Sequence, residues 1–244
     1  MSPRLKAAIG LLITVLLLWW VLRDVSPAEV WAELKAADPW LMIAAVVVAT
    51  FSFVLRALRW RVLLEPRHEG TDFDTRFGAT CAGFAANNVL PARLGEFIRA
   101  YVLASVARIP LGGSIGSLVV ERVLDGLVLA VLLFTTILLP DFPLGESSAA
   151  ELVQRTAIVG AIVFLAGFGL LWMAARRPAG TLVWWDRTLG RAVPHRLADR
   201  ARGLVDSFVR GLGALSSTGV FVRALGWSIA VWLCLAASIW LGLL

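Results

Sequence analysis

Long apolar runs recur along the whole chain and leave no room for a water-soluble fold. Five are plain: Ala7–Leu22, Trp40–Leu55, Ser114–Leu139, Leu152–Ala175 and Phe221–Leu244. A helix needs about 20 predominantly apolar residues to cross a hydrocarbon layer of about 30 Å. A soluble domain carries about a quarter charged residues, whereas this chain is 16% charged and 59% hydrophobic. No soluble domain of useful size remains between the runs. The expected fold is all-α: a single domain over 1–244, a polytopic membrane helix bundle with about five transmembrane helices. The first run follows Arg4 and Lys6 as in a signal peptide, but "RDVSPAEVW" offers no small-residue cleavage site, so an uncleaved first helix is expected.

Charge distribution orients the spans. Arg4 and Lys6 precede the first run, and the loop Arg23–Pro39 holds two basic and four acidic residues. The stretch Arg56–Arg76 holds five Arg. Basic residues accumulate in cytoplasmic loops, which places the N-terminus inside, the first loop outside and the second inside. The segment Phe77–Leu90 then decides the rest. As a helix of 14 residues it reaches only about 21 Å. If it crossed, Arg176–Gly219 with its eight Arg would lie outside, and Pro140–Glu151, with three acidic and no basic residues, inside. If it dips and returns, every later loop obeys the charge rule. Phe77–Ile109 (77–109) is therefore expected to be a cytoplasmic re-entrant hairpin, buried in protein or lining a wet cavity. A short cytoplasmic loop with solvated charges is the alternative.

The hairpin accounts for "NNVLPARLGEFIRAY", a polar stretch set against the apolar "FGATCAGFAA". Asn87, Asn88, Pro91 and Gly95 mark its tip. Pro91 ends a helical run, and Asn side chains can bond the backbone groups so freed. Gly78, Ala79, Ala82, Gly83, Ala85 and Ala86 allow close packing of the descending arm. On the returning arm, Arg93, Glu96 and Arg99 are three apart and share roughly one face.

Two further groups of charges lie against or within the spans. Counting back from Leu139 puts Glu121, Arg122 and Asp125 in the cytoplasmic third of their helix, with Asp125 inside the hydrocarbon. Charges at that depth are costly unless paired or wetted. Arg122 and Asp125, at i,i+3, can neutralise each other; Glu121 has no local cation, and Arg93 or Arg99 of the hairpin could meet it. An intrahelical salt bridge alone is the simpler alternative. Arg56 and Arg59 are one turn apart beside Trp60. They read either as snorkelling Arg with an interfacial Trp or as phosphate ligands. Most of the 11 Trp, including Trp19, Trp20, Trp40, Trp60 and Trp172, stand at segment ends, as in an aromatic belt.

The remaining features exclude more than they suggest. In Arg176–Gly219 (176–219), a basic cytoplasmic segment, Leu197, Ala201, Leu204, Phe208 and Leu212 form a helical stripe flanked by Arg196, Arg200, Arg202 and Arg210. That stripe fits an interfacial helix on anionic lipid or a surface helix packed on the bundle. Pro27–Ala37 is a short amphipathic piece. The net charge of +6 fits cytoplasmic loops and anionic headgroups, not nucleic acid. Cys81 and Cys234 are expected to be buried thiols, and His68 and His195 lack ligand-spaced neighbours, so no metal or other cofactor is expected. Asp72 and Asp74 in "DFD" have the spacing of a glycosyltransferase metal motif; the spacing is common by chance, and Asp74 also serves as an N-cap. No catalytic constellation is found, and an enzyme is not expected.

"RALRWRVLL", then "NNVLPARLGEFIRAYVL", then a Pro and "SLVVERVLDGLVL" resemble the lysylphosphatidylglycerol synthase transmembrane family, also called flippase-like domain proteins. The match covers about residues 50–130, with Asn-x-Leu-Pro-x-Arg-x-Gly-Glu as its specific core. The resemblance implies a multi-pass bacterial plasma-membrane protein, to which the charge distribution gives a cytoplasmic N-terminus. Relatives among the multiple peptide resistance factors move aminoacylated phosphatidylglycerol across the bilayer, with a separate soluble transferase domain that is not found here. Members are typically longer, with further spans and a second Pro/Gly-rich polar motif; the resemblance therefore implies a partial protein at Leu244, completed by a partner or a second copy.

Three functions follow as expectations. The first is a flippase-like protein for an anionic or aminoacylated phospholipid. In it, Arg93 and Arg99, with Arg56 or Arg59, hold the lipid phosphate, while Glu121, Glu96 and Asp125 receive a cationic headgroup or poise the Arg side chains. The second is a membrane-embedded transferase acting on a lipid-linked sugar or an aminoacyl lipid. The third is a non-transporting membrane subunit. The expected partners are membrane phospholipids, with a homo-oligomer, a separate transferase or the missing half as further candidates.

Overall fold

The computed structural model describes residues 3–23, 25–65, 70–137, 148–188 and 195–244. His68, Arg191 and the acidic loop residues 140–147 lie outside them. Among the described residues every regular element is helical. In chain order these are α1 (Pro3–Leu22), α2 (Pro27–Ala36), α3 (Pro39–Leu64), α4 (Phe73–Val89), α5 (Gly95–Ala107), α6 (Leu111–Ile137), α7 (Ser148–Arg176), α8 (Pro178–Arg187), α9 (His195–Gly211) and α10 (Thr218–Leu243). Short 3₁₀ turns occupy Pro91–Arg93 and Leu212–Leu215. The described part of each of the five apolar runs falls on a helix. By length and composition α3, α10 and the Ile158–Arg176 part of α7 can cross a membrane. α6 is as long, 27 residues, and carries Glu121, Arg122 and Asp125.

Local chemistry sets the boundaries. Asp38 Oδ1 accepts from the Trp40 amide at 2.8 Å and Pro39 occupies the first helical position, so α3 starts where its free amides are capped. Asp72 caps α4 by accepting from the Thr75 amide at 3.2 Å. That corrects the sequence expectation, which gave the cap to Asp74; Asp74 lies inside the first turn, where its charge still favours the helix N-terminus. α4 stops because Leu90, preceding Pro91, is extended. α5 ends at Arg108 in the left-handed region, with Pro110 beyond it.

The chain divides into two compact units, residues 1–47 with 238–244, and residues 48–237; the divisions fall inside α3 and α10. In the first unit, Ser238 Oγ donates to the Ala45 carbonyl at 2.9 Å, and the Lys35 ammonium lies 5.4 Å from the Trp31 ring. The second unit holds the packed core. Trp60, Leu103, Leu124 and Leu212, contributed by α3, α5, α6 and the second 3₁₀ turn, are fully buried there.

α4 and α5 form a helical hairpin. With 17 and 13 residues, they reach roughly 26 and 20 Å, each short of a bilayer core of about 30 Å. Their backbones approach through Gly83 and Gly95; a side chain at Gly95 would collide with the Gly83 carbonyl and with Asn87. Asn87 Oδ1 accepts from the Gly95 amide at 2.8 Å, the bond expected of a tip Asn, whereas Asn88 is exposed. Ala92 and Arg93 turn the tip with φ of 58° and 54°.

The stripe on α9 packs on α6. Gly112 and Gly116 lie against the α9 backbone from Leu204 to Gly211, and Gly113 faces Gly211. Phe208 and Leu212 turn toward the core, while Leu204 is 48% exposed. Of the two readings of this stripe, a helix packed on the bundle fits the close glycine contacts, because small residues let helix backbones approach.

Candidate functional site

Helical spacing on four elements brings the charges together. On α3, Arg56, Arg59 and Trp60 lie at i,i+3,i+4, and on α6 Ser117, Glu121 and Asp125 follow at intervals of four; each set occupies one face. Ser228 and Trp232 on α10 are also four apart. α5 supplies Arg99.

Arg59 is completely buried between the two carboxylates of α6. Its Nη1 donates to Asp125 Oδ1 at 2.5 Å and to Ser228 Oγ at 3.0 Å. Its Nη2 lies 2.8 Å from Glu121 Oε1, near enough for an ion pair but poorly aligned for a hydrogen bond. Arg99 Nη1 donates to the same Glu121 oxygen at 2.7 Å. Trp232 Nε1 donates to Asp125 Oδ1 at 3.2 Å. Arg122, 44% exposed, rims the cluster, with 3.1 Å to Glu121 and 3.5 Å to both Asp125 and Glu96. Arg56 is buried with its guanidinium carbon 5.1 Å from the Phe84 ring of α4.

Two sequence expectations change. Trp60 is not an interfacial belt residue: it is fully buried, donates Nε1 to Ser117 Oγ at 2.9 Å, and carries the Arg99 guanidinium 4.1 Å above its ring. The reason is that α3 continues past Leu55 to Leu64, carrying "RALRW" into the core instead of ending at an interface. Arg56 and Arg59 are buried for the same reason and do not snorkel. The second change concerns Arg93, which is exposed at the hairpin tip and outside the cluster; only Arg99 of the hairpin pair meets Glu121. Glu96 reaches the rim through Arg122.

Sequence reasoning missed Ser117, Ser228 and Trp232. A lone Ser in an apolar helix gives no sign that it faces a charge. The cysteines are half-buried thiols, Cys234 donating to the Val48 carbonyl at 3.1 Å. The hydroxyl and amide of Thr75 hold the Asp72 carboxyl below its usual range, which fits a cap. Among the described residues no three His, Cys, Asp or Glu converge as metal ligands.

The electrostatics of the cluster are not closed. Three buried guanidiniums, Arg56, Arg59 and Arg99, face two buried carboxylates, Glu121 and Asp125. Among the described residues, Arg59 Nε and Nη2, Arg99 Nε and Nη2, Glu121 Oε2 and Asp125 Oδ2 lack hydrogen-bond partners. Buried N–H groups of this kind are costly unless something accepts from them.

These features define an all-helical membrane protein with a buried, cation-rich polar cluster beside a helical hairpin. The chain belongs to the family of the lysylphosphatidylglycerol synthase TM region, whose model matches residues 7–244. It is 32% identical, over 95% of its length, to Glycosyltransferase AglD of Haloferax volcanii, and spans 40% of that protein. It is 28% identical over 93% of its length to a UPF0104 membrane protein of Methanothermobacter thermautotrophicus, 69% of which it spans. A UPF0104 membrane protein of Methanocaldococcus jannaschii is 28% identical over 54% of this chain and 39% of its own. No solved structure matches the chain significantly.

Proposed function

We propose that the protein binds the phosphate of an anionic or aminoacylated membrane phospholipid at the Arg59–Arg99 cluster and passes that lipid across the bilayer. The excess of buried guanidinium, with N–H donors left unbonded among the described residues, is the observation that carries this reading. Arg presents a planar fork suited to two phosphate oxygens at once. Glu121 and Asp125 keep the guanidiniums oriented and charged while no anion is bound, and they offer acceptors to a cationic headgroup. The exposed Arg122 and half-exposed Glu96 stand where a headgroup arrives. The hairpin α4–α5 is re-entrant from the cytoplasmic side, placing Arg99 at depth without crossing.

Reconstitution tests it. Vesicles containing the protein and a trace of fluorescent phosphatidylglycerol should lose more than the outer-leaflet half of their signal to an impermeant quencher. Arg99→Gln and Arg99→Lys should both slow that loss. Protein-containing vesicles that bleach only as far as protein-free ones would sink the reading.

A second reading rests on one observation, the 32% identity to Glycosyltransferase AglD along nearly the whole chain. In it the bundle presents a lipid-linked acceptor to a transferase. Nucleotide release from a nucleotide sugar, by the purified protein or on adding a transferase, would select this reading.

A further inference from the structure

An apolar groove adjoins the charge cluster through Trp232. The groove, about 350 Å³, runs between α6 and α10 and is lined by Val128, Val131, Leu132, Leu225, Ile229 and Trp232, among others. That volume lies at the lower end of the range of small-molecule sites. Its wall is almost wholly hydrocarbon. Trp232 belongs to both places: its ring lines the groove while its Nε1 donates to Asp125 at 3.2 Å. Ser228, bonded to Arg59 at 3.0 Å, falls between the groove residues Leu225 and Ile229 on α10. On α6, Val128 is one turn beyond Asp125 and Leu132 one turn further. The cationic cluster and the apolar groove thus lie next to each other along α6 and α10, with Trp232 common to both.

We propose that the α6–α10 groove seats an acyl chain of the same glycerophospholipid whose phosphate is held by Arg59 and Arg99, with the Trp232 indole at the junction of headgroup and chain. The inference rests on the phosphate reading above and adds the tail. Two features choose this occupant over a water-soluble anion. An anion alone leaves the groove unfilled, and a wholly apolar ligand leaves the cationic excess unanswered. Only an amphiphile with its charge at one end satisfies both. The indole suits the junction, since its ring packs on hydrocarbon while its N–H keeps a polar partner.

Photolabelling tests the seat. The protein is reconstituted in phosphatidylcholine vesicles with a trace of phosphatidylglycerol, or of phosphatidylcholine, carrying a diazirine on one acyl chain; labelled peptides are then mapped. Phosphatidylglycerol should label Val128–Leu132 and Leu225–Leu233 several-fold more than phosphatidylcholine does, and excess unlabelled phosphatidylglycerol should compete. Ile229→Trp, which fills the groove from a partly exposed position, should cut that labelling several-fold, and Leu132→Trp serves as an independent second filler. Arg99→Gln should abolish the preference for phosphatidylglycerol. Equal groove labelling by the two lipids, or labelling unmoved by both fillers, overturns the inference and identifies the groove as ordinary lipid-facing surface. The phosphate reading is judged separately, by the phosphatidylglycerol that co-purifies with wild type and with Arg99→Gln. Loss in the variant with an unselective groove leaves that reading standing and removes only the seat. Equal co-purification removes both.

Discussion

Arg99 of α5 and Glu121 of α6, 22 positions apart, meet at 2.7 Å with both side chains shut away from solvent. The same Glu121 oxygen lies 2.8 Å from Arg59 and 3.1 Å from Arg122, so one carboxylate holds three guanidiniums together. Glu121→Gln leaves Arg59 and Arg99 facing each other with less compensation. Breaking a buried ion pair from one side costs about 3–5 kcal/mol. The expected result is a large drop in the detergent thermal midpoint of Glu121→Gln. Arg99→Gln with Glu121→Gln should lose less than the two singles summed, by at least about 1 kcal/mol of coupling. Exchanging the two charges should not rescue, because the new Arg at 121 would stand against Arg59 and Arg122. Strict additivity would show that the pair is energetically idle.

Arg93 makes the contrasting case. It shares the family-like motif with Glu96 and Arg99, yet its side chain is exposed at a left-handed tip residue. Arg93→Gln should leave stability within about 0.5 kcal/mol, as for an ordinary surface substitution. Phosphatidylglycerol co-purification should be retained as well. Loss of the lipid on Arg93→Gln with Arg99→Gln silent would move the phosphate site from the cluster to the tip.

How much of this was legible depends on what each residue lacked. Glu121 announced itself, since a carboxylate at that depth without a local cation has to find a partner elsewhere; the hairpin offered Arg93 and Arg99, of which Arg99 meets it, while Arg59 of α3 was not foreseen. Asn87 was legible for a similar reason: a helix broken near Pro91 frees backbone groups that a side chain has to bond. Trp60 was misread because it follows an apolar run at its first charges. The four-residue rhythm of "RALRWRVLL" nevertheless carried α3 onward to Leu64. Ser228 and Trp232 were invisible, because polarity in one Ser and one indole does not disturb an apolar pattern. Their role depends on which face of α10 meets α6, and that is a matter of packing.

The topology of the hairpin has a direct test. α4 and α5 pack side by side through Gly83, Gly95 and Asn87, which brings the start of α4 and the end of α5 to the same end of the hairpin. In a background with Cys81 and Cys234 replaced by Ser, single Cys at the exposed Asp74 and at the exposed Arg108 should react with an impermeant thiol reagent from the cytoplasmic side only. Reaction of the two positions from opposite sides would mean that the hairpin crosses the membrane.

The close approach of the hairpin arms predicts an asymmetry between two glycines. Gly78 on α4 has open space where a methyl group would stand. Ala in a helix interior is favoured over Gly by roughly 0.5–1 kcal/mol, so Gly78→Ala should be neutral or mildly stabilising. At Gly95 the same methyl would press into the Gly83 carbonyl, which is backbone and yields only if the arms open, and into the Asn87 side-chain amide. Overpacking of this kind costs typically 1–3 kcal/mol, and here it would also break the Asn87–Gly95 hydrogen bond that fixes the tip. Gly95→Ala should therefore lower the thermal midpoint where Gly78→Ala does not. Because α5 carries Arg99, it should also weaken phosphatidylglycerol retention. Equal thermal midpoints for the two variants would mean that the arms are not held at this distance.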